Sequence, residues 1–114
     1  MSRIKVEALG EEIVIEYDRT SIVKMEEMGY NALDPTSKMF TNYEIMVYGG
    51  VLKHRPKTTW KEAVEIASEL NENYGMNAIL EAIAPMIQDV FFPGGIEKPK
   101  KKKIVFENSK TLKA

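Results

Sequence analysis

The chain has 114 residues, 44% hydrophobic and 29% charged, a balance that fits one folded domain and excludes both a disordered chain and two ordinary cores. It holds no cysteine, which rules out disulfides and thiolate metal sites and is compatible with the cytoplasm, and it has neither a signal-peptide-like apolar run nor the roughly 18 consecutive apolar residues of a membrane span. The net charge is only −1, yet residues 1–95 carry 9 Lys and Arg against 15 Asp and Glu (net −6), while residues 96–114 carry 7 against 2 (net +5), so an acidic body bears a basic tail.

Residues 3–17 read as a β-hairpin. Ile4, Val6 and Ala8 alternate with Arg3, Lys5 and Glu7, and beyond Gly10 the residues Ile13, Ile15 and Tyr17 alternate with Glu12 and Glu16. Each strand therefore has one face to bury. Gly10 supplies the positive φ of a tight turn near Leu9, Gly10 and Glu11. A lone hairpin is marginal in water, so it is expected to pack on the helices that follow.

Asp18 or Thr20 caps a short helix predicted over 19–28, with Ile22, Met25 and Met28 on one face and Gly29 as its stop. Residues 30–35 redirect the chain, and a second helix is predicted over 36–54, ended by Arg55-Pro56. Its apolar residues occupy two faces. Met39, Phe40, Tyr43, Met46, Val47 and Val51 form the main stripe, with Gly50 among them; Ile45, Tyr48 and Leu52 form another roughly opposite. Either this helix is buried on both sides, between the hairpin and the fourth helix, or its second stripe is an exposed interaction patch. Ile45, Tyr48 and Leu52 are accordingly the candidate partner-binding residues. Gly49-Gly50 lies inside the helical pattern with no strand before it, which favours close packing or a bend over a phosphate loop.

Thr59-x-x-Glu62 has the form of a capping box opening a helix over 60–74, with Trp60, Ala63, Val64, Ala67, Leu70 and Tyr74 on one side. Glu62, Glu65, Glu69 and Glu72 recur opposite, as a solvated face or as a docking strip for a basic partner or the chain's own lysines. After Gly75 a fourth helix, predicted over 76–92, buries Met76, Ile79, Leu80, Ile83, Met86, Ile87, Val90 and Phe91, and carries Pro85 on its outward side, where a kink is expected. Pro93-Gly94-Gly95 ends the folded part. Residues 96–114, with Lys98, Lys100, Lys101, Lys102, Lys103 and the triplet Ile104, Val105 and Phe106, read as a flexible tail. The whole is an α+β chain: an N-terminal hairpin packed on about four helices within residues 1–95, followed by the lysine-rich tail.

No catalytic, metal-ligating or cofactor-binding residue can be named. The single His54 has no cysteine partner, and beside a helix end it has a structural or solvated role toward terminal carbonyls. Carboxylates are plentiful but show no pair set to face across a cleft. An enzyme with a small-molecule substrate is therefore not expected. Nucleic acid is disfavoured too, because the lysines lack interleaved aromatics and the body repels polyanions. The seven methionines fall mostly at core spacing, although thioethers also suit surfaces that accept varied apolar segments.

Four pieces of the sequence carry a resemblance: Tyr17-Asp18, Glu26-Glu27-Met28-Gly29, Tyr48-Gly49-Gly50-Val51-Leu52 and Thr59-Trp60-Lys61-Glu62-Ala63. In this order, across about residues 4–92, the chain resembles the tail assembly chaperones of long-tailed bacteriophages and prophages. That resemblance implies a non-enzymatic protein of the bacterial host cytoplasm. It would bind the tape measure protein, keep its apolar helices from aggregating and help tail-tube subunits polymerise around it, and it would be absent from the finished virion. It also implies a longer product made by ribosomal frameshifting, for which the codons of Lys100, Lys101, Lys102 and Lys103 are the candidate site. A helix apolar on two faces also suits a homo-oligomer. The competing readings are another small phage structural or adaptor protein and, behind it, a nucleic-acid-associated regulator acting through the tail.

Overall fold

A computed structural model describes residues 3–31 and 38–92. The expected start of the second helix at residue 36, the stop at Pro93-Gly94-Gly95 and the lysine-rich tail lie outside the described residues. Within them the chain is α+β, an antiparallel two-stranded hairpin followed by four helices.

β1 (Arg3–Ala8) and β2 (Glu11–Glu16) pair with Val6 opposite Ile13 and Ala8 opposite Glu11. The apolar alternation fixes this register, because a slip by one residue would turn Ile13 and Ile15 to water. The connection is Leu9-Gly10, with φ of 55° and 75°, both positive as a type I′ turn requires. Leu9 is an unusual residue for that conformation. Its N–H donates to Glu69 Oε1 at 2.8 Å, a contact that holds the turn closed.

α1 (Arg19–Glu27) begins where Asp18 Oδ1 accepts from the Ser21 N–H at 2.9 Å and ends in a Schellman arrangement. There Gly29, at φ 107°, donates to the Glu26 carbonyl and Tyr30 N–H to that of Met25, with Tyr30 and Met25 both buried. α3 (Trp60–Tyr74) opens with the capping box between Thr59 and Glu62, both bonds present. α4 (Met76–Phe91) follows after one residue, Gly75 at φ 90°, and runs through Pro85, which faces solvent.

α2 (Met39–Leu52) is the central element and explains its own two-faced sequence. Gly50 receives the hairpin: a Cβ there would lie 2.5 Å from Ile15 Cγ2 and 2.7 Å from Tyr17 Cζ. Gly49 receives α1, since a Cβ would run into the Met25 side chain. Tyr43 meets α3, donating its hydroxyl to the Ala67 carbonyl at 2.7 Å, and Tyr17 donates to the Met46 carbonyl at 2.6 Å. Both phenols are buried. Burial drives the Tyr17 pKa far above the tyrosine range and, with the Glu44 carboxylate nearby, pushes that of Tyr43 up to about 12, so both remain neutral donors.

Several expectations change here. α2 is enclosed by the hairpin, α1 and α3, while α4 packs chiefly on α3; the fourth helix is not its second cover. Helix two ends at Leu52, and Lys53 and His54 leave it. Met39 and Phe40, in the main stripe by periodicity, are 50% and 65% exposed. In α3 the core is Ala63, Ile66, Ala67 and Leu70; Ile66 belongs to it, whereas Trp60 and Tyr74 are exposed. α3 is covered by α2 on one side and by α4 and β1 on others, so its buried arc is rotated from the stripe read off the sequence. In α4, Ile79, Ile83, Met86 and Ile87 are buried, Met76, Leu80 and Val90 half-buried and Phe91 exposed.

Candidate functional site

The end of α2 builds the main polar cluster. His54 and Arg55 both donate their N–H to the Val51 carbonyl, at 3.2 and 3.0 Å, and this turn throws three cationic or imidazole side chains toward the hairpin. His54 Nε2 lies 2.7 Å from Glu16 Oε1, Lys53 Nζ lies 3.5 Å from Glu16 Oε2 and 3.3 Å from Asp18 Oδ2, and Arg55 pairs with Glu11 at 2.8 Å. Glu16 is buried, at 8% exposure. The His54 hydrogen bond holds its carboxyl below the ordinary glutamate range, against burial, with Lys53 helping. The Ser21 N–H does the same for Asp18, again against burial and with help from Lys53. Burial works against the Lys53 ammonium, but Asp18 and Glu16 outweigh it and raise its pKa. His54 is thus a tether between α2 and β2, and not the cap for terminal carbonyls expected from its position. A carboxylate stabilised in this way is a poor proton acceptor. The cluster is a clasp on both ends of β2.

The exposed apolar surface lies on the other side. Tyr48 and Trp60 meet edge to face, with ring centroids 5.6 Å apart and planes at 84°. Together with the Tyr43–Ala67 bond this sets α2 and α3 antiparallel. Leu52 stands one turn after Tyr48, and Val64 one turn after Trp60, each on the same face of its helix. Tyr48, Leu52 and Val64 are half-buried and Trp60 is 39% exposed, which leaves an aromatic and aliphatic seam open between the two helices. Of the three residues singled out in the sequence, Tyr48 and Leu52 line this seam. Ile45 does not; it is 2% exposed. Ile45 precedes Gly49 by one turn, and that face of α2 carries α1. The sequence puts Trp60 and Val64 on the apolar side of α3, and it is the ring contact of Trp60 with Tyr48, twelve residues away, that shows Trp60 belongs to the patch.

The glutamate strip of α3 is not a uniform acidic face. Glu62 closes the capping box and Glu69 holds Leu9, while Glu65 and Glu72 are exposed. Glu69 also joins Glu7, Glu11, Glu12 and Asn73 around an open depression of about 360 Å3 at the hairpin tip. Small-molecule sites of that size are mostly apolar and enclosed, unlike this one. Its carboxylates do not converge: among the described residues no group of three or more His, Cys, Asp or Glu could hold a metal ion. A second depression, lined by Arg55, Pro56, Lys57, Thr58 and Glu62, is more open still. Among the described residues no helix is long and apolar enough to cross a membrane.

Comparison of the chain with models of protein families, with curated proteins and with solved structures gives no match.

Proposed function

We propose that the chain is a non-catalytic tail assembly chaperone of a long-tailed phage or prophage, which covers apolar helical segments of the tape measure protein in the bacterial cytoplasm while tail-tube subunits assemble. The seam of Tyr48, Leu52, Trp60 and Val64 is the observation that carries this reading. A groove between two helices, floored by apolar side chains, takes the apolar face of a third helix. Tyrosine and tryptophan supply large contact areas at small entropic cost and dominate binding hot spots. Two of the four sequence pieces that carry the family resemblance, the one from Tyr48 to Leu52 and the one opening at Thr59-Trp60, fall on this seam.

Co-expression with the tape measure protein of the same phage tests the reading directly. The wild-type chain is expected to keep the tape measure soluble and to co-purify with it, and a folded Trp60→Glu chain to lose capture. A wild-type chain that leaves the tape measure insoluble and unbound sinks the proposal. Mass spectrometry of purified virions separates the adaptor alternative, which requires the chain to persist in the particle.

A further inference from the structure

The two outer edges of the hairpin differ. With a two-residue turn closing on Ala8 and Glu11, the pairs Ala8/Glu11, Val6/Ile13 and Ile4/Ile15 exchange main-chain hydrogen bonds, so the intervening residues direct theirs outward. On β1 the outward groups of Glu7 are taken: its N–H donates to Tyr74 Oη at 3.1 Å, and Asn73 Nδ2 donates to its carbonyl at 3.3 Å. Leu9 N–H is held by Glu69. On β2, by contrast, nothing among the described residues hydrogen-bonds the outward main-chain groups of Glu12, Val14 and Glu16. A strand whose outward main-chain groups are unpaired between Glu12 and Glu16 is a template for a further strand.

We propose that this edge is the docking site for residues 102–107 of the same chain, taken up parallel to β2. This docking is independent of the chaperone role. The two segments are matched in kind: Glu11-Glu12-Ile13-Val14-Ile15-Glu16 against Lys102-Lys103-Ile104-Val105-Phe106-Glu107. In parallel register Lys102 and Lys103 come beside Glu11 and Glu12, and Ile104 and Phe106 share the apolar face of Ile13 and Ile15. Val14 N–H then donates to the Ile104 carbonyl, and Phe106 N–H to the Val14 carbonyl. Glu107 comes beside Glu16, the one like-charge neighbour of this register, with the Lys53 ammonium 3.5 Å from Glu16 to offset it. The antiparallel alternative is worse. It sets Glu107 against Glu11 and Glu12, and drives both lysines onto Glu16, whose carboxylate already holds Lys53 and His54.

Chain length permits the pairing. α4 starts two residues after Tyr74, whose hydroxyl touches Glu7, and its 16 residues extend about 24 Å at the helical rise. The nine residues 93–101 span up to about 30 Å when extended, which covers the return along the length of α4. A parallel neighbour also needs a long crossover, which α1 to α4 provide. The charge balance, −6 for residues 1–95 against +5 for residues 96–114, draws the segment to the acidic body.

Amide hydrogen exchange on the full chain, wild type against Phe106→Pro, tests this. The proline removes the donor to Val14 without touching the described residues. The Val14 and Glu16 amides should exchange at least about tenfold more slowly in wild type than in Phe106→Pro. The inward amides of Val6 and Ile13 should be equally protected in both, which certifies the fold. Reversing the charges of Lys102 and Lys103 to glutamate should also release Val14. Equal exchange of Val14 in wild type and Phe106→Pro, fast or slow, overturns the proposal. Protection that grows with protein concentration overturns it as well, by assigning the edge to a second copy.

Discussion

The two sides of α2 are built to opposite tolerances. On one, Gly49 and Gly50 admit nothing larger than hydrogen, because Met25, Ile15 and Tyr17 press on the helix backbone. On the other, Tyr48 and Leu52 are large and only half-covered, and Trp60 leans on them edge-on. An exposed helical glycine replaced by alanine normally gains about 1 kcal/mol in helix propensity. The glycine side should reverse that sign, and a change of residue in the seam should cost binding more than stability. Shape complementarity on one face thus holds the chain together, while the incomplete cover on the other leaves surface for a partner.

Gly50→Val should do the most damage to the tightly packed side. The added carbons meet Ile15 and a Tyr17 ring that cannot swing away, since its hydroxyl is tied to the Met46 carbonyl. Overpacking of this kind costs about 3 kcal/mol, read as a lower urea midpoint at unchanged slope. Gly49→Ala is the milder case. Its neighbour is the Met25 side chain, which has three rotatable bonds and can yield, so a loss of about 1 kcal/mol is expected after the propensity gain is offset. A stabilised Gly49→Ala would show that α1 does not need its close approach to α2.

Much of this architecture is legible in the sequence because it rests on local rules. Alternation around Gly10, the Asp18 cap, the Thr59 and Glu62 box and the glycine stops each act within a few residues, and each element stands where those signals put it. The glycine pair is also readable as a packing feature, although not which neighbours it admits. What escapes is set by contacts distant in sequence. Nothing near Glu16 announces His54, 38 residues on, and nothing near Glu69 announces the Leu9 amide. Periodicity also finds an apolar face without saying how much of it is covered. For that reason periodicity groups Ile45 with Tyr48 and Leu52 although α1 takes its side of the helix, and puts Trp60 with the buried side of α3 although it is a surface ring.

The clasp at the end of α2 contributes a pH dependence of known sign. Glu16 and Asp18 have lowered pKa values, so their contribution is present above the ordinary carboxylate range and is lost as pH falls through the lowered values. Lys53 has a raised pKa; its contribution is complete below the ordinary lysine value and disappears as pH climbs through the raised one. Thermal unfolding from neutral pH into the acid range should therefore show a falling melting temperature. Glu16→Gln should flatten the acid limb and cost less at neutral pH than Gly50→Val. An unchanged acid limb in Glu16→Gln would place the acid sensitivity elsewhere.

A moderate effect on stability should accompany the largest on binding. Trp60→Glu gives up an edge-to-face pair worth about 0.5–1.5 kcal/mol, but position 60 is the first residue of α3, where a carboxylate gains about 0.3–1 kcal/mol from the helix dipole. The two nearly cancel, but the covered part of an indole that is 39% exposed is lost as well, about 1–2 kcal/mol once the glutamate stem replaces some of it, so a cooperative melt roughly 5–15 °C below wild type is expected. Removing a hot-spot tryptophan and placing a charge in an apolar groove costs a bound helix at least about 2 kcal/mol, some thirtyfold in affinity. A Trp60→Glu chain that melts cooperatively and still captures the tape measure would move the contact off this seam, toward the exposed Met39 and Phe40 at the other end of α2. A variant that unfolds would instead show that the Tyr48–Trp60 contact is part of the framework, and that the two sides of α2 are less different than their exposure implies.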